Sequence, residues 1–170
     1  MAVNSKQKGN SGERSVAKML SEALGGSFVR SISSGAFVGG KNAHRKNVLS
    51  ENQIINSKGD IVPPDNMKNL VLEIKSYKAF RYHQIFSECL MLDGWIAQTK
   101  STADQYDFWM LIFKANRMPW SVVFDAKIIR YFKLDNYAIY NKNVITDLKI
   151  FLENNRSIII AMGEGFLSPV

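Results

Sequence analysis

The sequence predicts a mixed α/β fold, a central β-sheet with helices packed on it. The apolar residues change period along the chain in the order helix, strand, hairpin, helix, strand, strand. Several strand-like runs are apolar at consecutive positions, as strands covered on both faces are. The 170 residues, 46% of them hydrophobic, suffice for one domain with a real core.

The elements follow in order. Residues 1–9 are polar and read as a flexible arm. Asn10 or Ser11 caps a helix that runs to about Leu24 and stops at Gly25-Gly26, with Val16, Ala17, Leu20, Ala23 and Leu24 as its apolar stripe. Residues 27–31 (SFVRS) read as a short strand, and residues 36–57 as a Gly-, Ser- and base-rich insert loop. Two apolar runs, residues 60–63 and 69–76, flank Pro-Pro-Asp-Asn, a hairpin pattern. A helix in two pieces is expected between about Tyr82 and Gln105, then strands at residues 108–113 and 120–124. The two strands are joined by a loop holding Lys114, Asn116 and Arg117. The C-terminal extension, about 130–170, offers a helical piece near 143–152 and a short apolar run at 157–161.

Composition narrows the function. A single cysteine, Cys89, excludes a disulfide framework and a multi-cysteine zinc site. There is no 18-residue apolar run for a membrane span and no apolar signal-peptide core near residue 1, so a soluble, intracellular (cytoplasmic), DNA-associated protein is expected. The formal charge of +7 is concentrated in residues 1–50, which hold eight Lys and Arg against two acids. That excess suits a polyanion such as nucleic acid, although a basic face also serves solubility.

The chemistry is carried by carboxylates. Along a strand, side chains alternate faces, so in LVLEIK the residues Val71, Glu73 and Lys75 share one face and Leu70, Leu72 and Ile74 the other. A surface ion pair is the ordinary explanation for such a glutamate and lysine. Apolar density on both faces weakens it, because a buried charge needs a partner or a metal. If the hairpin turn centres between Asn66 and Met67, Asp60 lies opposite Glu73, Val62 opposite Val71 and Lys58 opposite Lys75. Directly opposed residues have Cβ atoms about 4.5–5.5 Å apart, which two carboxylates tolerate only around a positive charge such as a divalent metal. Asp65, after Pro64, gives a literal P-D-x7-E-x-K, but it falls at the hairpin tip, roughly 16 Å from Glu73 at 3.3 Å per residue. Asp60 is therefore preferred. Glu13 heads the stripe of the first helix; it is either half of a capping box with Asn10 or a third acid of the site.

These residues resemble the PD-(D/E)XK nuclease superfamily, and within it the Holliday-junction-resolvase-like branch of archaea and phages. The resemblance covers roughly residues 6–125 and rests on KGNSGERSVAKML with Glu13, FVRSISSGAF, GDIV with Asp60, and LEIKSYK with Glu73 and Lys75. The insert at 36–57 and the tail after about 130 depart from a minimal resolvase. It implies a restriction-endonuclease-like mixed sheet flanked by helices, an Mg²⁺- or Mn²⁺-dependent phosphodiesterase centre and often a homodimer. Carried over, Asp60 and Glu73 would ligate the metal, Glu13 would complete or support the site, and Lys75 would orient water and neutralise charge. Ser34 and Arg30 would match a loop contacting the scissile strand. Gln98 matches a position near the site in many relatives, and fits a solvated helix residue equally.

Phosphate contacts are expected from Lys6, Lys8, Arg14, Lys41, Arg45 and Lys46, with Lys78 and Arg81 beyond the strand. His44 and His83 read as loop or packing residues, and no nucleophile elbow, Walker loop or GxGxxG occurs. The leading expectation is a metal-dependent endonuclease selective for branched DNA, such as a four-way junction. The alternatives are a nuclease of linear duplex, of restriction or repair type, and a catalytically silent DNA-binding module.

Overall fold

The computed structural model describes residues 5–31, 47 and 58–170, with side chains from residue 9 onward. Ser34, Lys41, Arg45, Lys46, the insert at 36–57 apart from Asn47, and the side chains of Lys6 and Lys8 lie outside the described residues.

Helix α1 spans Ser5–Leu24, followed by strands β1 (Val29–Arg30), β2 (Ile61–Val62) and β3 (Leu70–Tyr77), helix α2 (Leu90–Thr102), strands β4 (Phe108–Ala115) and β5 (Ser121–Asp125), the hairpin β6 (Tyr137–Tyr140) and β7 (Asn143–Asp147), and helix α3 (Leu148–Gly163). The strands form one seven-stranded sheet ordered β1-β2-β3-β4-β5-β7-β6. Only β3 and β4 run parallel; the remaining neighbours are antiparallel, so the sheet is mixed as expected. A parallel pair needs a crossover, which α2 supplies.

The period of two sorts each strand between two cores. Leu70, Leu72 and Ile74 of β3, with Met110 and Ile112 of β4, face α1 and α3, where Val16, Leu20, Phe151 and Ile159 complete the larger cluster. Val71, Leu111, Phe113 and Val123 face α2 and meet Leu92, Trp95 and Ile96. Glu73 and Lys75 share the side of Val71, so both project into the α2 layer. Among the described residues no helix is long and apolar enough to cross a membrane.

Three expectations are corrected. Helix α1 starts at Ser5, so residues 5–9 are helical rather than an arm, and Asn10 lies inside the helix rather than capping it. Lys6, Gln7 and Lys8 are good helix formers that carry the helix past the weak Gly9-Asn10. Gly12 then lets the helix close on the sheet: a Cβ there would stand 3.2 Å from Ser76 Cβ and 3.3 Å from the Trp120 ring. Second, the first half of the expected helical piece, residues 143–147, forms a strand; the helix starts at Leu148 and takes in the apolar run at 157–161. The boundary is Asp147, whose carboxylate accepts from the Ile150 N–H at 3.0 Å and caps α3. Strands β6 and β7 and helix α3 thus extend the sheet and cover it.

Third, Lys58 does not stand opposite Lys75. Its Nζ lies 2.7 Å from Asp107 and 2.9 Å from Asp104, in the connection between α2 and β4. Burial lowers the Lys58 pKa, and the hydrogen bonds it donates to Asp107 and Asp104 outweigh this, so it stays charged above its ordinary range. The divergence from the ladder is made at Gly59, where φ is +69°.

Candidate active site

The site is assembled where β2, β3, α1 and α2 meet. Ile61 pairs with Leu72, which is the register that sets Asp60 beside Glu73. Asp60 is fixed by its backbone first: its N–H donates to Leu72 O and its carbonyl accepts from Ser31 N–H, each at 2.8 Å. Its Oδ2 then accepts from the Ile74 N–H at 2.9 Å. Glu73 is 1% exposed. Its Oε1 accepts two hydrogen bonds, from Lys75 Nζ at 2.6 Å and from Gln98 Nε2 at 2.8 Å. Its Oε2 is buried and has no partner among the described residues.

Asp60, buried beside a second acid, titrates abnormally. Burial, and then the neighbouring Glu73 charge, push the Asp60 pKa up from 3.8 to about 7; the Ile74 hydrogen bond and the Lys75 cation oppose the rise. Glu13 adds a small upward push, so it lies within electrostatic reach. Because Asp60 holds a proton more tightly folded than unfolded, folding takes up a proton between about pH 4 and pH 7. Its contribution to stability is therefore greatest in acid and declines as pH rises through that window. Melting in EDTA at pH 5 and pH 8 should show a smaller fall with pH in Asp60→Asn than in the wild type. An identical fall would contradict the buried pair.

Glu13 sits on the buried stripe of α1 with Val16, Ala17 and Leu20, and its Oε2 accepts from Arg30 Nε of β1. Arg30, expected to contact DNA, is thus engaged with Glu13. Gln98 is half-buried and donates to Glu73, so its amide supports the carboxylate instead of facing solvent. Arg14 and Lys78 are exposed, as phosphate contacts must be, and so are Arg81 and His83. Asp65 lies exposed in a single 3₁₀ turn, Asp65–Met67, at the hairpin tip. Gly59 and the Arg30–Glu13 contact were not singled out from the sequence. The Gly-Asp dipeptide is the signal for the first, since a glycine next to a functional acid often marks a backbone turn.

Among the described residues no three His, Cys, Asp or Glu side chains converge as a complete cage for a metal. The donor set is the Asp60–Glu73 pair, with Glu13 occupied by Arg30. That set fits a small hard cation. Mg²⁺ is commonly held by one or two carboxylates and completes its shell with water and substrate phosphate. The unpaired Glu73 Oε2 is the oxygen such an ion would satisfy, since a buried acceptor left without a partner costs about 1–3 kcal/mol. Lys75 Nζ stands 2.6 Å from the other oxygen of the same carboxylate, Oε1.

A model of the family described as "Phage putative PDDEXK endonuclease" matches residues 4–168. No curated protein and no solved structure gives a significant match. The match runs from α1 through α3, and therefore takes in the tail strands as well as the Asp60–Glu73–Lys75 cluster. Members of the PD-(D/E)XK superfamily generally use divalent metals. The chain belongs to this phage family of PD-(D/E)XK endonucleases.

Proposed function

We propose that the protein is a structure-selective DNA endonuclease that cuts four-way (Holliday) junctions, acting as a homodimer with Mg²⁺ or Mn²⁺ at Asp60 and Glu73. The observation that carries the catalytic part is the buried Glu73 Oε2, without a partner among the described residues, on a carboxylate whose Oε1 is held by Lys75. The bound cation would supply Lewis acidity and an acidified water. Asp60 and Glu73 fix the ion's place; Asp60 must first give up its proton. Gln98 and Lys75 both hold Glu73 by Oε1, which would leave Oε2 available to a cation. The Lys75 ammonium is placed to donate to the attacking water or to a phosphate oxygen as negative charge accumulates. Arg30, by moving from Glu13 to the scissile-strand phosphate, would free Glu13 as a further oxygen donor.

Selectivity for junctions rests on the resemblance of KGNSGERSVAKML and FVRSISSGAF to junction-resolving relatives and on the basic first third of the chain. A resolvase acts on two strands of a two-fold branch, which calls for two sites on one assembly. The test compares a labelled four-way junction with its linear arms, in Mg²⁺ and in EDTA. Paired, symmetrical, metal-dependent nicks in the junction alone are expected. Equal cutting of linear arms would replace junction resolution by duplex cleavage. Binding without cutting under any divalent ion would leave only a silent DNA-binding module.

A further inference from the structure

A cleft of about 260 Å³ opens at the ends of β3 and β4, on the α1 side of the sheet. Its walls are Ser11 and Ser15 of α1, Ser76 of β3, and Lys114, Asn116 and Arg117 at the end of β4 and the turn toward β5. Gly12 forms part of its floor, and the absence of a side chain there lets α1 approach Ser76 and Trp120. Among the described residues no carboxylate lines the cleft; hydroxyls, one amide and two cations do. That is donor chemistry suited to an anion with several oxygens.

Two features hold the cations in place. Lys114 Nζ lies over the Trp120 ring, 4.6 Å from its centroid. Arg117 occupies a left-handed conformation, φ +63°, in a turn closed by the Met118 N–H on Ala115 O at 3.2 Å. Left-handed backbone at a non-glycine residue is costly and concentrates where a side chain must be aimed. The position is also telling. Gly12 precedes Glu13 and Ser76 follows Lys75, so two walls of the cleft are the immediate chain neighbours of two catalytic candidates. Successive side chains of a strand point to opposite faces, so Ser76 turns to the α1 face while Lys75 stays on the α2 face, and the cleft lies across β3 from the carboxylates.

We propose that this cleft binds a second backbone phosphate of the DNA, apart from the one addressed by Asp60 and Glu73, with Lys114 and Arg117 as its cations. The inference rests on the nuclease reading above, but its test does not use cleavage. Binding of a fluorescent four-way junction is measured in EDTA over a series of salt concentrations, for wild type, Arg117→Gln and Lys114→Gln/Arg117→Gln. Lys127→Gln/Lys149→Gln removes the same charge elsewhere on the surface. The cleft variants should bind about tenfold more weakly, with the slope of log affinity against log salt reduced by about one. The control should keep the wild-type slope. Arg117→Gln alone guards against loss of packing at Trp120, and its melting point should match the wild type. Cleft variants that behave like the control would overturn the inference while leaving the nuclease reading intact. A wild-type protein that binds no junction at all would overturn both.

Discussion

Asp60→Asn and Glu73→Gln should each lower metal-dependent cutting by at least about a thousandfold while leaving the protein folded. A bound divalent ion stabilises the transition state by several kcal/mol, and each 1.36 kcal/mol is a factor of ten in rate. The fold should survive because the two buried acids oppose one another in the metal-free protein. Burial and Glu73 already push Asp60 toward its neutral form, so an amide at position 60 removes repulsion at almost constant shape. In EDTA near neutral pH, Asp60→Asn should therefore melt at or above the wild-type temperature. Lost activity together with a lowered melting point would mean that Asp60 is structural. Lys75→Met separates the roles further: it removes the cation from Glu73 Oε1 without removing a metal donor. It should slow cutting by about 10²–10³.

Gly59→Ala has the second large effect. At φ +69° an L-residue costs about 1–2 kcal/mol. A Cβ would also stand 2.4 Å from Leu72 O, the same carbonyl that accepts the Asp60 N–H. That oxygen belongs to the ladder between β2 and β3, so it has no flexible side chain to yield. Either the ladder opens or Asp60 moves away from Glu73. Urea denaturation should show a loss of about 2 kcal/mol or more, and cutting should fall with it. Gly94→Ala on α2 is the contrast, since nothing lies within 4 Å of its added Cβ. It should leave the site alone and stabilise the helix by up to about 1 kcal/mol. Equal behaviour of the two variants would contradict the role given to Gly59.

The carboxylate geometry was legible because strand periodicity and hairpin register are local rules. The turn around Asn66 and Met67 implies Ile61 opposite Leu72, the pairing in the structure, and it leaves Asp65 exposed at the tip. Two kinds of information were not local. Lys58 obeys the hairpin only if the ladder continues past Asp60, and the left-handed Gly59 ends it; Asp107 then captures a charge that sequence distance conceals. Gln98 reads as a surface helix residue until α2 is packed on β3, which brings its amide to Glu73.

The tail shows a different failure. Asn143 to Leu152 contains apolar residues at spacings that suit a helix, but Val144, Ile145 and Thr146 are β-branched and pair with β5. The preceding hairpin turns through Asn141 and Lys142, with φ of 43° and 63°. A two-residue turn with both φ values positive usually advertises itself by Asn-Gly, and the lysine hides it. At the other end, Gly9 and Asn10 look like a helix start, but the good helix formers before them and the close approach of α1 to Ser76 and Trp120 at Gly12 carry the helix through them.

The claim on which the rest depends is that the buried Asp60–Glu73 pair grips a divalent cation. Titration of Mn²⁺ into the DNA-free protein, followed by calorimetry at pH 7.5 for wild type, Asp60→Asn and Glu73→Gln, measures this directly. Saturable binding to the wild type is expected, weakened at least about tenfold in either variant. Unchanged Mn²⁺ affinity in both variants would contradict it.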